Sequence, residues 1–271
     1  MAFNFISNIG AVTTKNLISY CGGLEAVFKA KKSKLLRIPG IGEKKALDIV
    51  NSNALKLAEA EFKKIQGKDI EVIFYLDKDY PERLKHYADS PILLYWKGEK
   101  FKNPQRTVAI IGTRRPSHYG IAECEKIVEE LQEYQVTILS GLAYGIDTTA
   151  HRKAVELNCP TFGILGNGLK KIYPAANRKL ATRMLEHGGV ISEFQMDTEP
   201  DRENFPKRNR IIAGLSDAVI VVESDIKGGS IITAEISNDY NKDVFAVPGR
   251  LHDQMSLGCN HLIKTHKANL F

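Results

Sequence analysis

The chain has 271 residues, of which 43% are hydrophobic and 26% charged, a balance that forms a substantial core without metals or disulfides and excludes a disordered or fibrous protein. Its net charge of +6 and pI near 9.0 lean toward a polyanionic partner without naming one. The amino terminus carries no secretory signal and no apolar run is long enough for a bilayer, so no membrane association is expected. The four scattered cysteines, Cys21, Cys124, Cys159 and Cys259, read as buried free thiols rather than a disulfide or zinc set, and the expected compartment is the cytoplasm.

Residues 1–68 read as a small, basic helical domain. Lys29, Lys31, Lys32, Lys34 and Arg37 lie in a stretch with no acid, which fits either a solvated helix face or an anion-binding one. Within it, IPGIGEKKALDIV (Ile38–Val50) resembles a helix-hairpin-helix (SAM-like) element. Gly40 and Gly42 permit a tight turn that exposes N–H groups at a helix start, and Lys44 and Lys45 add charge, which makes a candidate phosphate site. A compact connector that binds nothing explains the same residues.

From residue 69 to 271 short β-branched runs alternate with helical stretches. Strands are predicted at Val72–Leu76, Val108–Ile111, Val136–Leu139, Thr161–Leu165, Val190–Ser192, Ala218–Val222 and Val244–Val247. Helices are predicted at Ile121–Tyr134, Thr148–Leu157, Asn177–Glu186, Ile211–Leu215 and Ile231–Tyr240. This alternation specifies an α/β fold, an extended Rossmann-like and mostly parallel sheet with helices on both faces. Ligands on such sheets bind beyond the carboxyl ends of the strands, so function is sought in those loops.

GTRRPSHYG (Gly112–Gly120) opens a helix after a strand; Gly112 and Thr113 form a candidate phosphate cradle, and Arg114 and Arg115 offer bidentate donors. It lacks the dinucleotide fingerprint, and no cofactor is expected. In SGLAYGID (Ser140–Asp147), Asp147 is expected to cap the next helix, with His151 packed inside rather than forming a catalytic pair. GNGLKKIYPAAN (Gly166–Asn177) supplies Lys170, Lys171 and Tyr173. RENFPKRNR (Arg202–Arg210) gathers Arg202, Lys207, Arg208 and Arg210 around Phe205 and Asn209, near a predicted helix start. Cations there oppose the helix dipole unless an external anion lies between them, and an aromatic ring among them suits a stacked base. KGGSIITAE (Lys227–Glu235) offers Gly228, Gly229 and Ser230 as a second phosphate cradle without the Walker pattern. No metal-ligand spacing and no catalytic constellation is found.

GTRRPSHYG, SGLAYGIDTTAH, YPAAN, ISEF, FPKRNRIIAGLSDAVIVVE, GGSIITA, VFAVPG and SLGCNHLI occur together and in order. Together they resemble the DprA (Smf) family of DNA-processing proteins over roughly Asp77–Ala268. The resemblance implies a protein of natural transformation and recombination. Such a protein binds single-stranded DNA without strong sequence preference, protects incoming strands, loads the RecA recombinase, commonly forms a homodimer and catalyses no reaction. It also implies DNA contacts at Arg114, Phe205, Arg208 and Arg210. The Gly228–Gly229 turn and Gln195 depart from the family's usual residues, and many members continue into a winged-helix-like domain, which these 271 residues do not include and which is left open for this protein. The competing reading is a Rossmann-type nucleotide phosphoribohydrolase in which Arg114 holds a phosphate and Glu235 acts at the sugar, although its glycine-turn spacing is off by one residue.

Overall fold

The computed structural model describes all residues from Met1 to Phe271. Five helices come first: α1 (Ala11–Cys21), α2 (Leu24–Lys29), α3 (Lys32–Leu35), α4 (Glu43–Val50) and α5 (Ala54–Ile65). Strand β1 (Glu71–Phe74), the short α6 (Glu82–Lys85) and β2 (Leu93–Gly98) follow. The α/β unit then runs β3 (Thr107–Ile111), α7 (His118–Gln132), β4 (Thr137–Ser140), α8 (Ile146–Glu156), β5 (Thr161–Ile164), α9 (Arg178–Met184) and β6 (Gly188–Ser192). It continues through α10 (Asn204–Leu215), β7 (Ala218–Val221), α11 (Gly229–Asp239), β8 (Asp243–Ala246), α12 (Leu257–Lys264) and β9 (Asn269–Leu270).

All nine strands form one sheet in the order β1-β2-β6-β5-β4-β3-β7-β8-β9. Strand β2 is antiparallel to both its neighbours, and every pairing from β6 to β9 is parallel. The chain winds outward from β3 to β6, then returns to the other side of β3 with β7. The strand order therefore reverses between β3 and β7, where the loops at their carboxyl ends diverge and leave a crevice.

Successive side chains of β3 enter different layers. Ala109 and Ile111 join the core beneath α10, α11 and α12, whereas Ile110 joins the core beneath α7 and α8. The third apolar cluster spans the 68/69 division expected from the sequence. It unites Leu17, Val27, Leu35 and Ile49 with Leu93, Leu165, Met184 and Val190. Polar contacts tie the same seam: the Glu61 carboxylate, 1% exposed, accepts the Met196 N–H at 2.6 Å, and Lys64 pairs with Asp197. All four cysteines are buried free thiols. No helix is long and apolar enough to cross a membrane.

The seven predicted strands and five predicted helices are present within a few residues, with one consequential exception. Helix α10 begins at Asn204, seven residues before the predicted Ile211. The basic FPKRNR segment is therefore helical and does not lead into a helix.

Candidate nucleic-acid interface

A helix turns about 100° per residue, so residues three and four apart share a face. On α10 this places Phe205, Arg208, Asn209 and Ile212 along the wall of the crevice between β3 and β7. The opposite wall is formed by Gly112, Thr113 and Arg114 after β3, and by Ser224, Asp225, Gly228, Gly229, Ser230 and Thr233 at the start of α11. The cleft has a volume of about 310 Å³. At its mouth the exposed Arg114 guanidinium stands over the Phe205 ring, 5.4 Å from the centroid. Tyr173 lies on the other side of Phe205 with ring centroids 5.9 Å apart, and exposed Tyr144 joins both rings around a small adjoining pocket. Phe205 is half-buried, held from behind by Gly166, where a Cβ would approach the ring to 2.7 Å.

The two predicted phosphate cradles differ in the structure. The start of α7, after Gly112 and Thr113, is already filled by the protein's own acid. The buried Glu223 carboxylate accepts the Ser117 N–H at 2.9 Å and the Ser117 hydroxyl at 2.5 Å, and Gly120 leaves room for it. The expectation that this turn receives an external anion is corrected accordingly. Its side-chain contribution to the cleft is Arg114, while neighbouring Arg115 is exposed and unpaired. The start of α11 remains open: Gly228 is its N-cap, no side chain caps it, and Gly229 is exposed. Ser230 donates to Ser224 at 2.7 Å, which fixes the turn facing the cleft. An uncapped helix start with glycine backbone is a surface on which an oxyanion replaces water at several N–H groups.

Three expectations about the cations are corrected. Arg208 is 5% exposed, and its Nη1 donates to Gly141 O at 2.7 Å and to Ile164 O, while Nε donates to Asn209 Oδ1. It joins the carboxyl ends of β4 and β5 to α10 through Nε and Nη1, and its Nη2 alone has no acceptor in the fold, in a side chain that lines the cleft. Burial pulls its pKa down to about 10, opposed by the Asp147 carboxylate. Arg210 points to a different cleft, between α10 and the amino-terminal segment at Asn4 and Gly10, where it pairs with Glu193 at 2.5 Å. Lys170 and Lys171 are exposed but engage Asp197 and Glu199, each at 2.6 Å, outside the switch-point cleft. Helical winding is the physical reason for the first two. It spreads the cations around α10, so they do not converge on one anion site. Arg202 and Lys207 remain exposed, Lys207 only loosely paired with Glu203 at 4.0 Å.

Asp147 and His151 are structural here. Asp147 lies within α8, not at its cap, and accepts the Gly141 and Ala143 N–H groups of the preceding turn. Burial raises its pKa. His151 is fully buried, its Nδ1 2.7 Å from Thr161 Oγ1, and burial drives its pKa down to about 3. Glu235, assigned to sugar chemistry in the competing reading, is half-exposed, pairs with Lys267 at 2.9 Å and does not line the cleft. Sequence reasoning missed Tyr144 and Glu223. Tyr144 is legible as an aromatic in a glycine loop after a strand, whereas nothing local marks Glu223 as a partner of α7. At the hairpin, Gly40 adopts φ +80°, Gly42 caps α4 with no side-chain bond, and Lys45 donates to Gly40 O at 3.1 Å.

Comparison with known proteins agrees with this architecture. The family model for DNA recombination-mediator protein A matches residues 71–271, and a model for a SAM-like helix-hairpin-helix tandem matches residues 3–52. The chain is 36% identical to Protein Smf of Synechocystis over 97% of its length and 67% of that protein. It is 42% identical to DNA processing protein DprA of Streptococcus pneumoniae over 70% of its length and 67% of that protein. It thus spans about two thirds of the length of these relatives. Among solved structures, the Streptococcus pneumoniae DprA superposes with a TM-score of 0.85 at 32% identity, covering 100% of this chain and 92% of that one. DNA processing protein A from Helicobacter pylori, described for its single-stranded DNA binding mode, superposes with a TM-score of 0.67 at 31% identity over 74% of this chain and 90% of that one. The chain therefore belongs to the DNA recombination-mediator protein A family, the DprA/Smf proteins of DNA processing.

Proposed function

We propose that this protein binds single-stranded DNA in the cleft between β3 and β7 and acts by binding, without catalysis. The observation that carries the reading is the mouth of that cleft, where the Arg114 guanidinium stands over the Phe205 ring beside the uncapped start of α11. The ring gives a base a stacking face, Arg114 meets an adjacent phosphate, and the Gly229 and Ser230 N–H groups donate to a second one. None of these contacts reads a base edge, so binding is tolerant of sequence. The single-stranded DNA described for the Helicobacter pylori relative supports the ligand class. In the cell we place the protein in the cytoplasm as a homodimer that protects incoming strands in natural transformation and hands them to the RecA recombinase, with no cofactor.

Single-strand affinity measured against salt tests the proposal. Arg114 lines the cleft, and the exposed Arg115, Arg202 and Lys207 lie within three residues of Arg114 or Phe205 in the chain, which allows up to about four phosphate contacts and a slope of log K against log salt of up to about −3. A flat response, or an affinity that survives Arg114→Ala with an unchanged slope, overturns it.

A further inference from the structure

Two loops bring further aromatic rings to the mouth of the cleft: Tyr144 follows β4, and Tyr173 lies between β5 and α9. Their side chains are exposed, 49% and 42%, whereas Phe205 is half-buried, with Arg114 over its ring and Tyr173 beside it. Large rings left open to water in a cluster mark a contact surface. The backbones beneath them are fixed. Asp147 accepts the Gly141 and Ala143 N–H groups at 3.1 and 3.3 Å, and Thr148 Oγ1 donates to Ala143 O at 2.5 Å. Buried Asn177 ties the two loops together, its Nδ2 donating to Leu142 O at 2.9 Å and to Thr148 Oγ1 at 2.8 Å. Gly145, at φ +79°, lets the first loop close on the Arg114 turn, where a Cβ would collide with Thr113 O. The loops are thus held in place while the two rings stand free.

We infer that Tyr144 and Tyr173 are stacking platforms for the bases next to the one on Phe205, and that this aromatic wall selects single-stranded over duplex DNA. The inference rests on the single-strand reading of the cleft. The Phe205 and Tyr173 centroids lie 5.9 Å apart. That exceeds the roughly 3.4 Å between successive charges along a strand in B-form DNA, so neighbouring bases reach both rings only when the strand is extended and unstacked. A duplex keeps the faces of its bases covered by one another and offers none to the rings, whereas every unstacked base has one, whatever its sequence. The wall adds no phosphate contact: Lys170 and Lys171, on the Tyr173 loop, are engaged by Asp197 and Glu199. Its signature is therefore affinity that depends on bases and not on salt.

The test compares the full chain with Tyr144→Ala and Tyr173→Ala, and with the Tyr→Phe and Tyr→Leu variants at both positions. Leucine keeps packing volume without a π-face, so Tyr173→Leu serves if Tyr173→Ala unfolds. The ligands are an oligothymidylate, an abasic oligonucleotide of the same length and a blunt duplex, each across roughly 50–200 mM salt. Alanine or leucine at either position should weaken oligothymidylate binding by about five-fold or more with an unchanged salt slope. Phenylalanine should keep parental affinity within about two-fold. Binding to the abasic strand and to the duplex should stay within about two-fold of the parent in every variant, so the preference for single strands shrinks. Oligothymidylate affinity that is unchanged in the alanine and leucine variants overturns the inference. So does an equal loss on the abasic strand or the duplex, which would show that the loops and not the rings had been disturbed. A parent that binds no oligothymidylate sinks both this inference and the single-strand proposal. Tyrosine variants at parental affinity beside a weakened Arg114→Ala sink this one alone.

Discussion

Arg208→Met separates a ligand contact from a structural brace. The guanidinium is 5% exposed, satisfies the Gly141 and Ile164 carbonyls and faces the Asp147 carboxylate, itself 7% exposed. Methionine fills much of the volume but leaves two buried carbonyl acceptors unpaired and removes the cation nearest the buried Asp147 carboxylate, which keeps only its backbone N–H donors. Removing one member of such a buried charged set costs about 3–5 kcal/mol. For a chain of this size about 2–4 °C is lost per kcal/mol, so thermal unfolding should drop by roughly 6–20 °C. Asp147→Asn in the same background should recover part of the loss, with a coupling of about 1–3 kcal/mol in the double-mutant cycle. The salt slope for single-strand binding, measured where the variant is folded, should match the parent because the bonds to Gly141, Ile164 and Asn209 hold the guanidinium in the role of a brace. Arg114→Ala should instead flatten it by about 0.7. An Arg208→Met protein with unchanged thermal stability and a flattened slope would refute the assignment and return Arg208 to the DNA-contacting set.

Three further outcomes follow from the same geometry. Phe205→Ala should weaken single-strand binding by about 1–3 kcal/mol if a base stacks on the ring, and Phe205→Tyr should retain it; a titration of both variants decides. Gly166→Val should push the Phe205 ring toward Arg114 and weaken binding while leaving the Arg83–Asp217 pair, elsewhere in the fold, unaffected. His151 is neutral and buried, its pKa held near 3 against an ordinary 6.5, so between those values the unfolded chain binds a proton that the folded chain refuses. Stability should therefore fall as pH drops below 6.5, by at most ~1.4 kcal/mol per pH unit from this group. Asp147 and Glu193, raised by burial, act in the opposite sense. Denaturant melts at about pH 6.5 and 5 should show the decline in the parent and lose it in His151→Gln; an equal decline in both would contradict the assignment.

The strands were legible because central parallel strands are buried on both faces and read as short β-branched runs; Val108–Ile111 and Ala218–Val222 lie within a residue of β3 and β7. Strand β2 escaped because Leu93–Gly98 carries a tryptophan and a lysine and pairs antiparallel. The cleft was legible where chemistry is local: Gly228–Ser230 reads as a helix start and lies at one. It was illegible where partners are distant in sequence. Nothing beside Arg208 indicates that its guanidinium will close on Gly141 and Ile164, and nothing beside Arg210 indicates Glu193. The extended α10 is the common cause. A proline at its third position is compatible with a helix start, yet Phe205–Pro206 reads as a break.

Separating the hairpin from the cleft by truncation is a tempting experiment that the core forbids. Removing residues 1–68 breaks an apolar cluster to which the sheet unit contributes ten side chains, among them Leu93, Leu165, Met184 and Val190. Returning even three such side chains to water costs roughly 5–9 kcal/mol, comparable to the whole stability of a domain. It also leaves the Met196 N–H without the Glu61 carboxylate, in the loop that leads from β6 to the cleft-forming α10. A truncated chain should therefore aggregate or lose single-strand binding for reasons unrelated to DNA contacts. Size-exclusion chromatography and binding of a dye specific for exposed apolar surface check this. A monodisperse truncated protein with parental single-strand affinity would show that the seam carries far less energy than its burial implies. Substitution at the exposed cations, which leaves the seam intact, is the route by which the two surfaces are told apart.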